Sequence, residues 1–137
     1  MIRSIVHDPM FLAQKSVPAT EADRQVITDL LDTLRANLDG CVGMAANMIG
    51  VKKNIIVVSV GFLQMVMVNG VIVAKDGPYE TEEGCLSLLG GPRKTTRYEE
   101  IEVEYLDADF RTKKAKFNGW TAQIIQHELD HVNGVLI

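Results

Sequence analysis

The sequence predicts an α+β architecture for a single domain spanning residues 1–137, and three features carry that expectation. An apolar stripe of Val26, Ile27, Leu30, Leu31, Leu34 and Leu38 recurs at helical spacing. Between Asn54 and Phe117 lie several runs rich in β-branched and aromatic residues, separated by turn residues. The chain then closes on Trp120 to about Asn133, where apolar residues again fall at helical spacing around His127 and His131.

Taken in order, residues 1–19 read as an extended or loop segment punctuated by Pro9 and Pro18. Thr20, with Asp23 three residues on, is a variant of the capping box and opens the first helix. Arg24, Asp29, Asp32 and Arg35 fall between the apolar positions as its polar face, and Asp39-Gly40 ends it. Gly40, Gly43 and Gly50, with Ala45 and Ala46, make the next stretch a connection that a ligand or a neighbouring strand could approach closely. Asn54 to Val60, Phe62 to Val68 and Val71 to Ala74 read as strands, with Asn69-Gly70 as a hairpin turn and Gly77-Pro78 as a further turn. Glu82 to Ser87 reads as a loop. Ile101 to Leu106 starts with the apolar–acidic alternation of a half-buried strand. Asp107-Ala108-Asp109 turns the chain into a last strand, Phe110 to Phe117, Lys-rich on its open side. Asn118-Gly119 introduces the closing helix, whose Ala122, Ile125, Leu129 and Val132 face inward, and Gly134 caps it.

The bulk composition narrows the class. A chain that is 47% hydrophobic and 23% charged is globular rather than disordered. A net charge of −4 without a Lys/Arg cluster argues against nucleic acid as a direct substrate. Two cysteines, Cys41 and Cys85, are too few for a disulfide scaffold and read as thiols or a metal thiolate. His7, Asp8, Pro9 and Gln14 interrupt the apolar core that a signal peptide would need. The apolar runs fall far short of the ~20 residues of a membrane helix. A cytoplasmic location with no membrane association is the expectation, and the sequence specifies no oligomeric state.

The chemistry concentrates in Gln126-His127-Glu128-Leu129-Asp130-His131. On a helix, His127 and His131 share one face, so that two imidazoles reach one metal ion with Glu128 beside them as a candidate general base. A surface helix with two solvated histidines is the plainer alternative. A hydrolytic metal site wants a third protein ligand and one open position. Cys85, in Glu82-Glu83-Gly84-Cys85-Leu86-Ser87, could supply it, the alternative being a small buried hydrophobe.

Gly43-Met44-Ala45-Ala46, Glu83-Gly84-Cys85-Leu86-Ser87 and Gln126-His127-Glu128-Leu129-Asp130-His131 together stand in an order and spacing that resembles the peptide deformylases. These are metal hydrolases that remove the formyl group from the N-terminal methionine of new polypeptides. The resemblance extends over nearly the whole chain and implies antiparallel β-sheets packed around a C-terminal HExxH helix, with an N-terminal helix. It implies Cys85, His127 and His131 as ligands of one divalent ion, Fe(II) in the cell, with Zn, Ni or Co able to substitute. Glu128 would take a proton from water activated at the ion and pass it to the departing amine. The oxyanion would be held with help from the backbone N–H of Leu86 and from the side chain at position 48. Val42 and Ile124 match positions lining the methionine pocket, and Gly43 matches a backbone contact to the peptide. Glu83 and Arg97 match a pair that braces the cysteine loop. The implied partners are formylated peptide N-termini and, transiently, the ribosome. Only three residues follow Gly134, so a docking extension of the kind some relatives carry is not expected.

Against the family frame Gly-any-Gly-Leu-Ala-Ala-any-Gln, Cys41 stands at the first glycine and Met48 at the glutamine. A thioether donates no hydrogen bond, and losing one oxyanion donor costs about 10²–10³ in kcat, or roughly 3–4 kcal/mol. Asn47 is an amide one residue away, but a one-residue shift redirects a side chain in helix or strand. Three readings follow: a deformylase slowed by Met48, the same fold acting on another small acylamide, or a non-catalytic metal-containing binder of formylated N-termini. The presence of Glu128 weighs against the last.

Overall fold

The computed structural model describes residues 1–85 and 88–136. Three helices, α1 (Pro9–Leu12), α2 (Arg24–Ala36) and α3 (Gly119–Val132), accompany five strands: β1 (Gly43–Ala45), β2 (Ile55–Val60), β3 (Leu63–Cys85), β4 (Leu88–Leu106) and β5 (Thr112–Asn118). The strands form one sheet in the order β1-β2-β3-β4-β5, every pair antiparallel. Short 3₁₀ helices precede α2 (Glu21–Asp23) and follow β1 (Ala46–Ile49).

Local chemistry explains the helix starts. The Asp8 side chain accepts from the Met10 N–H at 3.0 Å, with Pro9 at the first helical position, so part of the segment expected to be extended forms α1. At the entry to α2, the Thr20 N–H donates to Asp23 Oδ2 at 2.9 Å, the reciprocal half of a capping box. The apolar face of α2 buries Ile27, Leu30 and Leu34. β2 lies between α2 and α3, which both pack on it. Its Ile55, Ile56, Val57 and Val58 are accordingly all buried, and the run is apolar without alternation.

Three expectations for the middle of the chain need correction. Asn69-Gly70 is not a hairpin turn, because β3 continues through it as a 23-residue strand. An Asn-Gly pair reverses the chain only when its flanks pair with each other. Here Leu63–Val68 pairs with β2, whereas residues beyond Val68 pair with β4. The left-handed Asn69 (φ 53°) therefore makes a bulge where the strand changes partner, with a register shift between Val68 and Val71. Its side chain accepts from the Ala19 N–H at 2.7 Å and donates to the Ala19 carbonyl at 2.9 Å. Gly77-Pro78 likewise lies within the β3–β4 ladder, opposite the stretch Tyr98 to Glu100. Glu82 to Cys85 is strand rather than loop, Glu83 facing Arg93 and Cys85 facing Leu88. This ladder is exposed along much of its length, so pairing without burial left no hydrophobic period to read.

Helix α3 packs against β1, β2, β4 and β5. Two side-chain amides anchor it. Gln126 both accepts from the Tyr98 N–H and donates to the Tyr98 carbonyl, each at 2.8 Å, as a neighbouring strand would. Asn47 Nδ2 donates to the His131 carbonyl at 2.7 Å. Among the described residues, no helix is long and apolar enough to cross a membrane.

The Asn69 bulge gives a stability test. Asn69→Ala removes both bonds to Ala19 and leaves an ordinary side chain in the left-handed region, which should cost about 2–3 kcal/mol in urea unfolding. Asn69→Gly keeps the backbone freedom and should recover about 1 kcal/mol of that loss.

Candidate metal centre

The i,i+4 spacing on α3 places His127 and His131 one turn apart on the inward face. Their Nε2 atoms stand 3.2 Å apart and their ring centroids 4.9 Å apart. Cys85, at the end of β3, completes a set whose ligand atoms all lie within 4.8 Å of one another. Two nitrogens each about 2.0–2.1 Å from a tetrahedral ion are roughly 3.3–3.4 Å apart, so the imidazole pair fits a shared metal. Three protein ligands leave the fourth position for water or substrate.

Glu83 holds this arrangement in place. Its Oε1 accepts from His127 Nδ1 at 2.8 Å and from Arg97 Nη2 at 2.7 Å, while Arg97 Nε lies 3.0 Å from both oxygens. Gln123 Nε2 donates to Oε2 at 2.9 Å, and Arg97 Nη1 reaches on to Asp130 Oδ2 at 2.6 Å. Burial alone would raise the Glu83 pKa, but the bonds from His127, Arg97 and Gln123 outweigh it and pull the value down to about 2. A carboxylate this acidic only accepts, so Nδ1 of His127 carries a hydrogen and Nε2 is the atom that would face a metal. Burial opposes a charged His127, yet contacts with Cys85 and Glu83 and the charge of Glu128 push its pKa up to about 10. That added proton sits on Nε2, and a metal ion would bind there in its place.

Glu128 is buried beside the ligands, and burial pushes its carboxyl up to about 7. Among the described residues its Oε1 has no hydrogen-bond partner. Gly43 makes room for it: a Cβ at that position would sit 2.8 Å from Ile124 Cγ2 and 3.1 Å from Glu128 Cγ. Val42, Gly43, Met48, Glu83, Cys85, Ile124, His127 and Glu128 all line one cavity of about 230 Å³, joined by Cys41, Trp120 and Gln123. Arg97 and His131 lie behind its wall, and Leu86 lies outside the described residues.

Met48 is buried in this wall, its Sδ accepting from the Ala45 N–H at 3.3 Å. Asn47 does not replace the absent amide donor, since its Nδ2 is committed to the His131 carbonyl. The Cys41 thiol donates to the Gly43 carbonyl at 2.9 Å, and burial, with Glu128 nearby, pushes its pKa up to about 11. It remains a thiol and adds no second thiolate. The sequence reading singled out neither Gln123 nor Asp130. Gln123 is four residues before His127 on the same helical face, which is the signal that could have found it.

A cysteine sulfur and two imidazoles converging beside a buried carboxyl group, on a helix backed by an antiparallel sheet, form a donor set that could hold one metal ion, the arrangement of a mononuclear metallohydrolase. The chain belongs to the polypeptide deformylase family, whose profile matches residues 2–137. It is 64% identical over 137 residues to a peptide deformylase of Clostridium beijerinckii, covering 100% of both chains. Its fold matches the crystal structure of a peptide deformylase from Legionella pneumophila with a TM-score of 0.89 and 34% identity, over 99% of this chain and 83% of that one. A peptide deformylase from Thermotoga maritima matches with a TM-score of 0.89 and 29% identity, over 99% and 95% of the two chains. The protein is thus a metal-dependent hydrolase of the deformylase type.

The depressed pKa of Glu83 has a measurable consequence. A carboxylate held near 2 stabilises the fold fully above the ordinary carboxylate range, and loses that contribution as the pH falls from about 5 towards 2. In urea titrations of the metal-free protein, Glu83→Gln should lower stability at neutral pH. It should also flatten the acid limb of the curve between those values.

Proposed function

We propose that residues 1–137 act as one domain that removes the formyl group from formyl-methionyl N-termini of nascent polypeptides. The observation that carries this reading is the convergence of Cys85, His127 and His131 beside Glu128 on one cavity. A divalent ion in that site supplies Lewis acidity, acidifying water and polarising the formyl carbonyl. The family resemblance points to Fe(II) as the cellular ion, and Zn, Ni or Co could substitute because a cysteine and two imidazoles suit all four.

This chain's residues do the rest. Glu128 accepts the proton of the attacking water and delivers it to the amine as the C–N bond breaks, so the products are formate and a free α-amine. A carboxyl that titrates near 7 suits both halves of that transfer. Val42 and Ile124 flank the methionine side chain, the Gly43 backbone receives the peptide, and the Leu86 N–H donates to the oxyanion. Glu83 and Arg97 keep His127 in its metal-binding tautomer. Met48 withholds the side-chain donor, so turnover is slow for this chemistry. An enzyme acting on nascent N-termini works in the cytoplasm and meets the ribosome transiently.

The assay is formate release from formyl-Met peptides by anaerobically prepared protein. Met48→Gln should raise kcat/KM at least about tenfold, because its carbonyl can take over the bond to the Ala45 N–H while its NH₂ faces the cavity. No turnover in the parent and none restored by glutamine would sink the proposal. Glu128→Ala should lower kcat by about 10²–10⁴ while the protein keeps its metal. Equal activity in that variant would remove Glu128 from the proton path.

A further inference from the structure

The face of α3 that carries His127 carries a second side chain aimed at the same carboxylate. Gln123 lies one helical turn before His127, and the two grip opposite oxygens of Glu83: His127 Nδ1 on Oε1 at 2.8 Å, Gln123 Nε2 on Oε2 at 2.9 Å. Arg97 closes on the carboxylate with Nε at 3.0 Å from both oxygens and Nη2 at 2.7 Å from Oε1. Because Glu83 only accepts, the amide must turn its nitrogen inward and its oxygen outward. Tyr79 supports that orientation, its hydroxyl donating to Gln123 Oε1 at 3.5 Å.

Without Gln123, Oε2 would keep only a share of Arg97 Nε, and the carboxylate could rotate into a two-oxygen pairing with the guanidinium. Such a rotation carries Oε1 away from His127 and frees the imidazole to turn. Gln123 also differs from Arg97 in where it stands, since it lines the cavity itself. We infer that Gln123 is a positioning residue for the metal centre, holding Glu83 in the orientation that fixes His127, and coupling the wall of the substrate cavity to a metal ligand. This rests on the metal centre assigned above.

The test uses the full-length protein and zinc or cobalt as the probe. Zinc affinity is read by competition with a chromophoric chelator, the Co(II) form by its visible ligand-field bands, and kcat and KM by formate release. Gln123→Leu keeps much of the volume and loses the donor. It should weaken zinc retention about tenfold, the lower end of what removing a partner of a metal-bound histidine does, shift the cobalt bands, and reduce kcat more than it raises KM. Gln123→Glu sets a second carboxylate against Glu83 and should weaken zinc retention further, which provides the reading should the leucine variant not fold. Unchanged zinc affinity and cobalt bands in a folded variant, with only KM raised, would make Gln123 cavity wall alone and overturn the inference. A parent that takes up no zinc would instead overturn the metal centre, an outcome separable from the first because it precedes any substitution.

Discussion

The buried ion pair of Glu83 and Arg97 is the interaction on which the site depends. Taking two charges out of water costs several kcal/mol per ion, and only close geometry with further hydrogen bonds offsets it. Here the offset comes from three elements: Glu83 on β3, Arg97 on β4, and His127, Gln123 and Asp130 on α3. The cluster therefore joins strand to strand and sheet to helix with one set of charges. Each partner that stabilises the ionised carboxylate also helps to orient the imidazole that would meet a metal. Local stability and catalytic geometry are here one requirement.

How far the sequence could be read follows from where burial and periodicity coincide. α2 and α3 were readable because each buries one stripe, and His127 and His131 because a helix converts a four-residue step into adjacency. β2 was readable as an apolar run. The β3–β4 ladder was not, since residues such as Lys75, Asp76 and Glu80 pair across it without being buried. Asn69-Gly70 carried a true signal for a left-handed residue, but the choice between turn and bulge depends on which strands lie on each side. Met48 stood out only against the family's motif, and the structure adds that neighbouring Asn47 is engaged elsewhere. The partners of Gln123 and Asp130 were not legible, because Glu83 and Arg97 lie 40 and 33 residues away; helical spacing places Gln123 beside His127 but does not say what it bonds.

The change of partner along β3 also bears on the position of Cys85. Leu63–Val68 belongs to the ladder with β2 and enters the core at Met67 and Val68, whereas Cys85 sits at the far end of the ladder with β4. A single strand thus runs from the hydrophobic interior to Cys85, with the Asn69 bulge at the change of partner. Asn69 is itself tied to Ala19, so the segment leading into α2 helps to hold that bulge.

Gly43 shows what an absent side chain accomplishes. With no Cβ, the β1 backbone closes on Ile124 and Glu128 at distances a methyl group could not tolerate. A free glutamate samples several rotamers, and confining it costs up to about 1.5–2 kcal/mol. In this wall that ordering is met when the chain folds, before any substrate arrives. If Glu128 is the general base proposed above, it would meet each substrate already ordered, and that entropy would be no part of the activation barrier.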